Sequence, residues 1–260
     1  MTKLDRKQPH GMPSWADLMT DDPEAARAFY GALFGWTFDI DDPETGHYTM
    51  CKVGAHMAAG LSGKPPGAAM PNAWTLYLAV DDLDATCRRL AEAGGRLTMP
   101  PMQVMDAGKM AVAQEPTGAV FGMWQAGQHT GFQIRDEPGS FAWTELNTRD
   151  LPRAQAFLEA VFGYRAEKLP EDADMEEYRT LHVGDAYAGG ILQMTEKWPA
   201  ELPPHWMIYF AVESTDAAVA KVKSLGGALH VPPFDTPYGR IAVVTDPQRA
   251  AFSVIQLPAS

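Results

Sequence analysis

The sequence repeats itself once, over nearly its whole length of 260 residues. The run WADLMTDDP that begins at Trp15 matches WTELNTRDL from Trp143, and WTLYLAV from Trp74 matches WMIYFAV from Trp206. These matches lie at shifts of 128 and 132 residues, so the register hardly drifts. A repeat of this length predicts two similar folded halves. We place them at residues 13–127 and 140–260, after an N-terminal tail (1–12) and joined by a polar, turn-rich linker (128–139).

Each half contains two copies of a smaller unit. Alternation at residues 15–19 predicts a strand, and Asp22 followed by the Phe29 and Leu33 spacing predicts a capped amphipathic helix. Short strands follow, and the order then begins again with a strand at 74–80 and a helix at 82–93. We therefore predict an α+β fold. Four βαβββ units form two tandem domains related by pseudo-twofold symmetry, with helices packed outside curved mixed sheets.

Composition narrows the functional classes. The formal net charge of -12, without any stretch rich in Lys or Arg, disfavours nucleic acid as a partner. No apolar run approaches the ~18 residues that span a bilayer, and residues 1–10 do not form an apolar leader, so we expect neither membrane insertion nor secretion. Cys51 and Cys87 are the only cysteines and lack metal-binding spacing, which favours a reducing cytoplasm.

The order and spacing of several short features resemble one known superfamily. These features are Val-Asp-Asp-Leu at 80–83, Gly-Gly after each second helix and a Glu-Pro or Asp-Pro turn before each last strand. Over residues 13–257 the chain resembles the vicinal oxygen chelate superfamily, which includes glyoxalase I, bleomycin-resistance proteins and extradiol dioxygenases. The opening run at Trp15, with Phe29-Tyr30 and the Phe-Gly-Trp at 34–36, is most similar to the fused, two-domain glyoxalase-like branch of actinobacterial secondary metabolism.

The resemblance also implies where a metal would be held. In metal-dependent members, a divalent cation is bound by side chains on the first strand of each unit and by a glutamate on the last strand. Those positions are occupied here by Trp15 and Trp143, Thr75 and Met207, Gly122 and Ser253, and the Ala and Gly residues of 58–60 and 188–190. A bound cation needs several Asp, Glu or His donors. We therefore expect no metal, and the lack of a phosphate loop or dinucleotide fingerprint predicts no other cofactor.

Two acidic residues are the best candidates for chemistry. Alternate residues of a strand share a face of the sheet. The concave surface of the first half should therefore be lined by Trp15, Asp17 and Met19. That of the second half should be lined by Trp143, Glu145 and Asn147. A neighbouring indole excludes water and raises the pKa of a carboxyl group. Asp17 and Glu145 are therefore candidate general acids or bases, or partners of a cationic ligand. Alternatively, each acid simply bonds to neighbouring backbone or to an arginine.

Aromatic residues complete the two predicted concave surfaces, which we call the cups of the first and the second half. Tyr77 and Tyr209 should face the acids, where a phenol can donate to a carbonyl or phenolate oxygen. A buried tyrosine more often fills core space and satisfies its hydroxyl locally, and we favour that interpretation. Tyr48 and Tyr178 match on a later strand. Trp124, in phase with Gly122, predicts a groove with an aromatic wall that suits flat, partly apolar ligands. The histidines, among them His129 in the linker, are interpreted as structural or solvated.

Three functions remain open. The first is a metal-independent enzyme that acts on an aromatic or polyketide-like compound through Asp17 or Glu145 with a tyrosine partner. The second is a binding protein that sequesters a toxic or signalling compound, with the acidic balance favouring a cation. The third is a glyoxalase-type lyase that detoxifies a 2-oxoaldehyde. Since the two halves can pair within one chain, we expect a monomer, with a homodimer as the alternative.

Overall fold

The chain folds as four βαβββ units in two mixed sheets, as predicted. The computed structural model describes residues 2–4, 6–40, 48–65, 67–169 and 178–258. The first half contains β2 (Pro13–Thr20), α1 (Pro23–Phe34), β3 (Thr37–Ile40), β4 (Thr49–Val53), β5 (His56–Gly63), β6 (Ala73–Ala79), α2 (Leu83–Glu92), β7 (Arg96–Val104), β8 (Gly108–Gln114) and β9 (Val120–Ala126). The second half repeats this order in β11 (Phe141–Thr148), α3 (Leu151–Phe162), β12 (Arg165–Lys168), β13 (Tyr178–Val183), β14 (Ala186–Gln193), β15 (His205–Ala211), α4 (Thr215–Ser224), β16 (Ala228–Thr236), β17 (Gly239–Thr245) and β18 (Ala251–Gln256).

The first helix of each half begins and ends for the same local reasons. The side chain of Asp22 accepts a hydrogen bond from the amide of Ala25 at 3.0 Å, and α1 ends at Gly35 in a left-handed conformation, with φ 71°. Asp150 and Gly163 repeat both features at α3. A carboxylate N-cap and a C-terminal glycine are therefore properties of the repeated unit. None of the helices in the described residues has the length and apolar character needed to cross a membrane.

Strand order places the first strand of each unit at the centre of its sheet. The sheet of the first half runs β3-β4-β5-β2-β6-β9-β8-β7, and that of the second runs β12-β13-β14-β11-β15-β18-β17-β16. Strand β2 pairs parallel with β5 and antiparallel with β6. In this register, Asp17 lies opposite Gly60 on one side and Thr75 on the other. The candidate acid therefore lies at the middle of the sheet.

The segment between the halves is packed into the molecule. Phe132 and Ile134 are buried, and the ring of Phe132 stacks on Phe141 with centroids 4.7 Å apart. Within this segment, β10 (Ile134–Arg135) pairs with β1 (Thr2–Lys3) and with β11. Residues 128–139 are polar on average, but the two apolar side chains within them are enough to anchor the connection. This packing brings His129 over the concave face of the first sheet.

The larger hydrophobic core of the described residues contains side chains from both halves. Phe34 of α1 packs on Phe210 of β15 with centroids 5.2 Å apart, and Phe162 of α3 packs on Phe121 of β9 at 5.8 Å. The first helix of each half thus covers the outer face of the other half's sheet. The two sheets also contact each other directly, through β6 and β15.

Candidate functional site

The concave face of the first sheet encloses a cavity of about 380 Å³. Five of the residues that line it were predicted as site residues: Trp15, Asp17, Tyr48, Tyr77 and Trp124. The remaining lining residues are mostly apolar: Met50, Met102, Gln103, Val104, Met105, Ala107, Met110 and His129. The cavity therefore combines a central carboxyl group with aromatic and thioether walls.

Strand register brings these side chains together. Trp15 lies opposite Tyr77 across β2 and β6, and Met110 lies opposite Trp124 across β8 and β9. Alternation along β2 leaves Ala16 on the other face, where it is fully buried in the core. Strand alternation thus accounts for Trp15, Tyr77 and Trp124 lying at the cavity wall.

Burial controls the protonation of Asp17. Only 8% of this residue is exposed, and burial raises the pKa of its carboxyl group to about 7. Hydrogen bonding from Tyr77 and Tyr48 lowers the same pKa, but by less. The Tyr48 hydroxyl lies 3.3 Å from Oδ2 of Asp17 and accepts a hydrogen bond of 2.8 Å from Nε1 of Trp15. Both protonation states of Asp17 are therefore accessible near neutral pH.

Two glycines make room for these tyrosines. A side chain on Gly60 would collide with the hydroxyl of Tyr48, and one on Gly122 would collide with the ring of Tyr77. Both glycines lie at positions where the superfamily resemblance places a metal ligand. Since the tyrosines fill the space above them, a glutamate could not be accommodated at Gly122 without moving Tyr77. Glycine offers no donor atom on a side chain, and the space for a longer side chain is filled. Both facts disfavour a metal-binding side chain at these positions.

The donors present do not fit a divalent cation. Among the described residues, no group of three or more His, Cys, Asp or Glu side chains converges to hold a metal. The residues that line the first cavity include one carboxyl group, Asp17, and one imidazole, His129. Structural and catalytic sites for such ions ordinarily use at least three protein donors. We therefore derive no step through a metal ion.

The second half repeats the acid and its aromatic neighbours. Glu145 is 8% exposed, and burial raises the pKa of its carboxyl group to about 7, while hydrogen bonding from Tyr209 and Asn147 lowers it. Nε1 of Trp143 donates to the Tyr178 hydroxyl at 2.9 Å. The remaining residues predicted for this cup lie beside these: Met207 pairs with Glu145 in the sheet register, and Ser253 pairs with Tyr209.

The hydrogen-bond partners that influence the pKa of the two acids are uncharged. For Asp17 and Glu145, the hydrogen-bond donors that influence the pKa are tyrosine hydroxyls and, at Glu145, the amide of Asn147. No ion pair between an arginine and either acid occurs within the described part of the chain. An uncharged partner leaves the carboxyl pKa high, as general acid–base chemistry near pH 7 requires.

The walls of the two cups differ. Trp124 of the first half corresponds in register to Ile255, and Met110 corresponds to Ile241. Aromatic and thioether surface in the first cup is thus replaced by branched aliphatic surface in the second. The halves share the acid and its tyrosines but present different surfaces to a ligand.

The residues predicted from the sequence differ in two ways from those that line the first cavity: some lining residues were not predicted, and some predicted residues do not line it. None of the predicted site residues lies on β7 or directly after it, but this strand continues to Val104 and brings Met102, Gln103 and the following Met105 to the cavity wall. His129 was missed because no residue pattern reveals that the connecting segment folds back over the sheet. Three predicted residues are not among those that line the cavity: Met19, Thr75 and Gly122. Gly122 is covered by the ring of Tyr77.

Proteins of similar sequence have been named in two contexts. "Putative glyoxylase CFP32" of Mycobacterium tuberculosis (strain CDC 1551 / Oshkosh) is 42% identical over 252 residues, which cover 95% of each chain. "Anthracycline biosynthesis protein DnrV" of Streptomyces peucetius is 36% identical over 263 residues, covering 95% of this chain and 94% of the relative. Both alignments extend through the two halves.

Solved structures share the fold at low sequence identity. The Mn(II)-bound glyoxalase from Novosphingobium aromaticivorans has a TM-score of 0.66 at 15% identity, over 95% of this chain and 82% of that one. The 2,3-dioxygenase LapB from Pseudomonas sp. KL28 has a TM-score of 0.65 at 15% identity, over 96% and 95%. The family model described as Glyoxalase/Bleomycin resistance protein/Dioxygenase superfamily matches residues 13–123 and 140–254. The chain therefore belongs to this superfamily, with one family domain in each half.

Proposed function

We propose that this protein binds a flat aromatic or polyketide-like molecule in the first cavity without a metal ion, and that Asp17 exchanges a proton with the bound molecule. The observation that carries the proposal is a buried carboxyl group, with a pKa of about 7, in a cavity of about 380 Å³. Cavities that hold small ligands usually measure about 300 to 1,000 Å³.

The walls of the cavity suit a flat, largely apolar ligand. The indoles of Trp15 and Trp124 offer aromatic surface, while Met50, Met102 and Met110 offer flexible thioethers that adapt to the shape of a ring system. Aromatic faces stack on flat rings, and methionine fills irregular space around them. The size and chemistry of the cavity thus favour a polycyclic aromatic compound over a small 2-oxoaldehyde.

Asp17 supplies a proton-transfer group to that ligand. When it is protonated, its carboxyl group donates to a carbonyl or phenolate oxygen, and when it is ionised it accepts a proton from a hydroxyl group or an acidic carbon. Because its pKa is about 7, both forms are populated at neutral pH. The hydroxyl of Tyr48, at 3.3 Å, orients the carboxyl group. A neutral acid polarises a ligand carbonyl by donating a hydrogen bond to its oxygen.

The similarity to a protein named for anthracycline biosynthesis supports this class of ligand. That relative is 36% identical over almost the whole chain, and anthracyclines are flat, polycyclic aromatic compounds. The relatives also support a role in specialised metabolism. Binding without conversion, as in a sequestering protein, is the second candidate, because the same cavity would serve both roles.

The test separates binding from proton transfer. Thermal-shift screening of hydroxylated anthraquinones and anthrones identifies a ligand, and mass spectrometry of incubated ligand detects conversion. We expect Asp17→Asn to reduce conversion by about 100-fold or more while affinity stays within a few-fold. The matched variant Asp84→Asn, at an exposed aspartate of α2 outside the cavity, should leave both unchanged. Binding by the wild-type protein without conversion of any compound supports sequestration instead.

Metal analysis tests the other half of the proposal. Elemental analysis of protein purified without chelator should find no stoichiometric Zn, Ni, Mn or Fe, and a chelator should leave ligand affinity unchanged. One equivalent of any of these metals, together with loss of binding on chelation, would overturn the proposal. So would failure of the wild-type protein to bind any compound of the screen.

A further inference from the structure

His129 enters the first cavity from the segment that joins the two halves. Its amide donates to the carbonyl of Ala107 at 3.0 Å, and its carbonyl accepts from Nε1 of Trp124 at 2.9 Å. The backbone of His129 is thus held by one residue of the β7–β8 connection and by one aromatic residue of the cavity wall. The imidazole is positioned by the fold, although His129 itself lies outside the helices and strands.

The imidazole lies among aromatic rings with one nitrogen unpaired. Its centroid is 4.4 Å from that of Trp15, edge to face, and 5.6 Å from that of Trp124. Nε2 is buried and makes no hydrogen bond to any residue that the structure describes. Burial lowers the pKa of His129 to about 4, so the ring is neutral at pH 7. An unpaired buried nitrogen is unfavourable in the free protein and calls for a partner.

We infer that His129 is a ligand-recognition residue, whose unpaired ring nitrogen forms a hydrogen bond with a hydroxyl group of the molecule bound beside Asp17. The inference rests on the proposed function, since both residues line the same cavity. It adds a second polar contact, provided by a residue outside both repeated domains.

The surroundings of His129 define the chemical class of the ligand. A neutral imidazole has one donor and one acceptor nitrogen, and a hydroxyl group satisfies either of them. The residues that line the cavity include no lysine or arginine, and Asp17 is their only carboxyl group. A cavity of this kind disfavours ligands with a permanent charge. The ligand is therefore an uncharged aromatic compound that carries at least one hydroxyl group.

Two probes that differ only in hydroxyl groups test this inference. The affinities of 1,8-dihydroxyanthraquinone and unsubstituted anthraquinone are measured by calorimetry for the wild-type protein, His129→Leu and His129→Gln. We expect His129→Leu to weaken binding of the hydroxylated probe by about tenfold and to change binding of anthraquinone less than twofold. His129→Gln, which keeps a donor and an acceptor, should recover part of the loss.

A second measurement separates recognition from structural support. Because His129→Leu removes an unpaired polar group, the unliganded variant should unfold at the same temperature as the wild type or higher. His10→Leu is the control: this histidine lies outside the cavity, with Nε2 3.4 Å from the carbonyl oxygen of Val161 and 3.3 Å from Arg89. Its loss should lower the unfolding temperature and leave both affinities unchanged.

The outcomes distinguish the inference from the function on which it rests. If His129→Leu binds the hydroxylated probe as tightly as the wild type does, the inference is wrong and the proposed function stands. If the variant loses affinity for both probes equally, the residue only shapes the cavity, and the inference is again wrong. If the wild-type protein binds neither probe, the proposed function fails and the inference fails with it.

Discussion

Nε1 of Trp15 donates a hydrogen bond of 2.8 Å to the hydroxyl of Tyr48, and the corresponding pair in the second half, Trp143 and Tyr178, repeats this bond at 2.9 Å. In each half the tyrosine ring is held over a glycine. Because the indole N–H uses one lone pair of the hydroxyl oxygen, the hydroxyl proton remains free to point toward the carboxyl group. The repeated pair therefore fixes the surroundings of both acids.

Replacing Tyr48 by phenylalanine should destabilise the protein and raise the pKa of Asp17 further. The substitution leaves the Trp15 indole without its acceptor, which should lower the free energy of unfolding by about 1–2 kcal/mol. It also removes a hydrogen bond that lowers the Asp17 pKa. Denaturant unfolding measures the first effect, and NMR titration of the carboxyl group measures the second.

Tyr178→Phe is the matched control for that experiment. It should have a similar effect on stability, since Trp143 loses the same bond, but it should leave the titration of Asp17 unchanged. If Tyr48→Phe lowered the Asp17 pKa, the assigned direction of the Tyr48 hydrogen bond would be wrong.

The two buried acids should make the protein less stable as the pH rises. Burial raises the pKa of Asp17 from 3.8 and that of Glu145 from 4.5, both to about 7. Between these values the folded state keeps protons that the unfolded state releases. The stabilisation is fully present below pH about 4 and is lost as the pH rises through about 7, at about 1.4 kcal/mol per pH unit for each acid.

Unfolding curves at several pH values check this sign. Asp17→Asn and Glu145→Gln should each flatten the decline between pH 5 and 7 by about one group's contribution, and the double variant by about both. A wild-type protein whose stability rises over that interval, with the variants following it in parallel, would contradict the assignment of both carboxyl groups.

Gly60→Ala should be costly although its strand remains intact. The new methyl group would meet the Tyr48 hydroxyl and would also crowd the Cβ of Asp17 at 3.0 Å. Overpacking of this kind costs about 1–3 kcal/mol. Gly63→Ala on the same strand is the control, because its methyl group would meet only a flexible ring atom of Pro23 at 3.3 Å. Calorimetry should show a clear loss of stability for the first variant and almost none for the second.

The two halves should unfold together. Tyr30 of α1 donates to Oδ2 of Asp246 in the other half at 3.0 Å and accepts from Nε1 of Trp74 at 3.0 Å. Tyr30→Phe removes both bonds from the shared core and should cost about 1–3 kcal/mol. Because the core is continuous, calorimetry should show one transition that moves to lower temperature as a whole. Two separated transitions would show that the halves are energetically independent.

The sequence alone determined the architecture and the central part of the candidate site. Repetition identified the two halves, Asp22 and the spacing of Phe29 and Leu33 located the first helix, and alternation on β2 placed Trp15 and Asp17 on one face. These inferences succeeded because strand alternation and helix capping are local properties, which depend on residues within a few positions of each other.

Only the tertiary structure decided which side chains complete the first cavity. His129 reaches it because Phe132 and Ile134 anchor the connecting segment in the core, and Met102 reaches it because β7 continues to Val104. The contact between Tyr48 and Gly60 could not be predicted either, because it depends on the distance between β5, which carries Gly60, and the residue that precedes β4. Such contacts depend on how distant segments pack, and no periodicity along the chain records them.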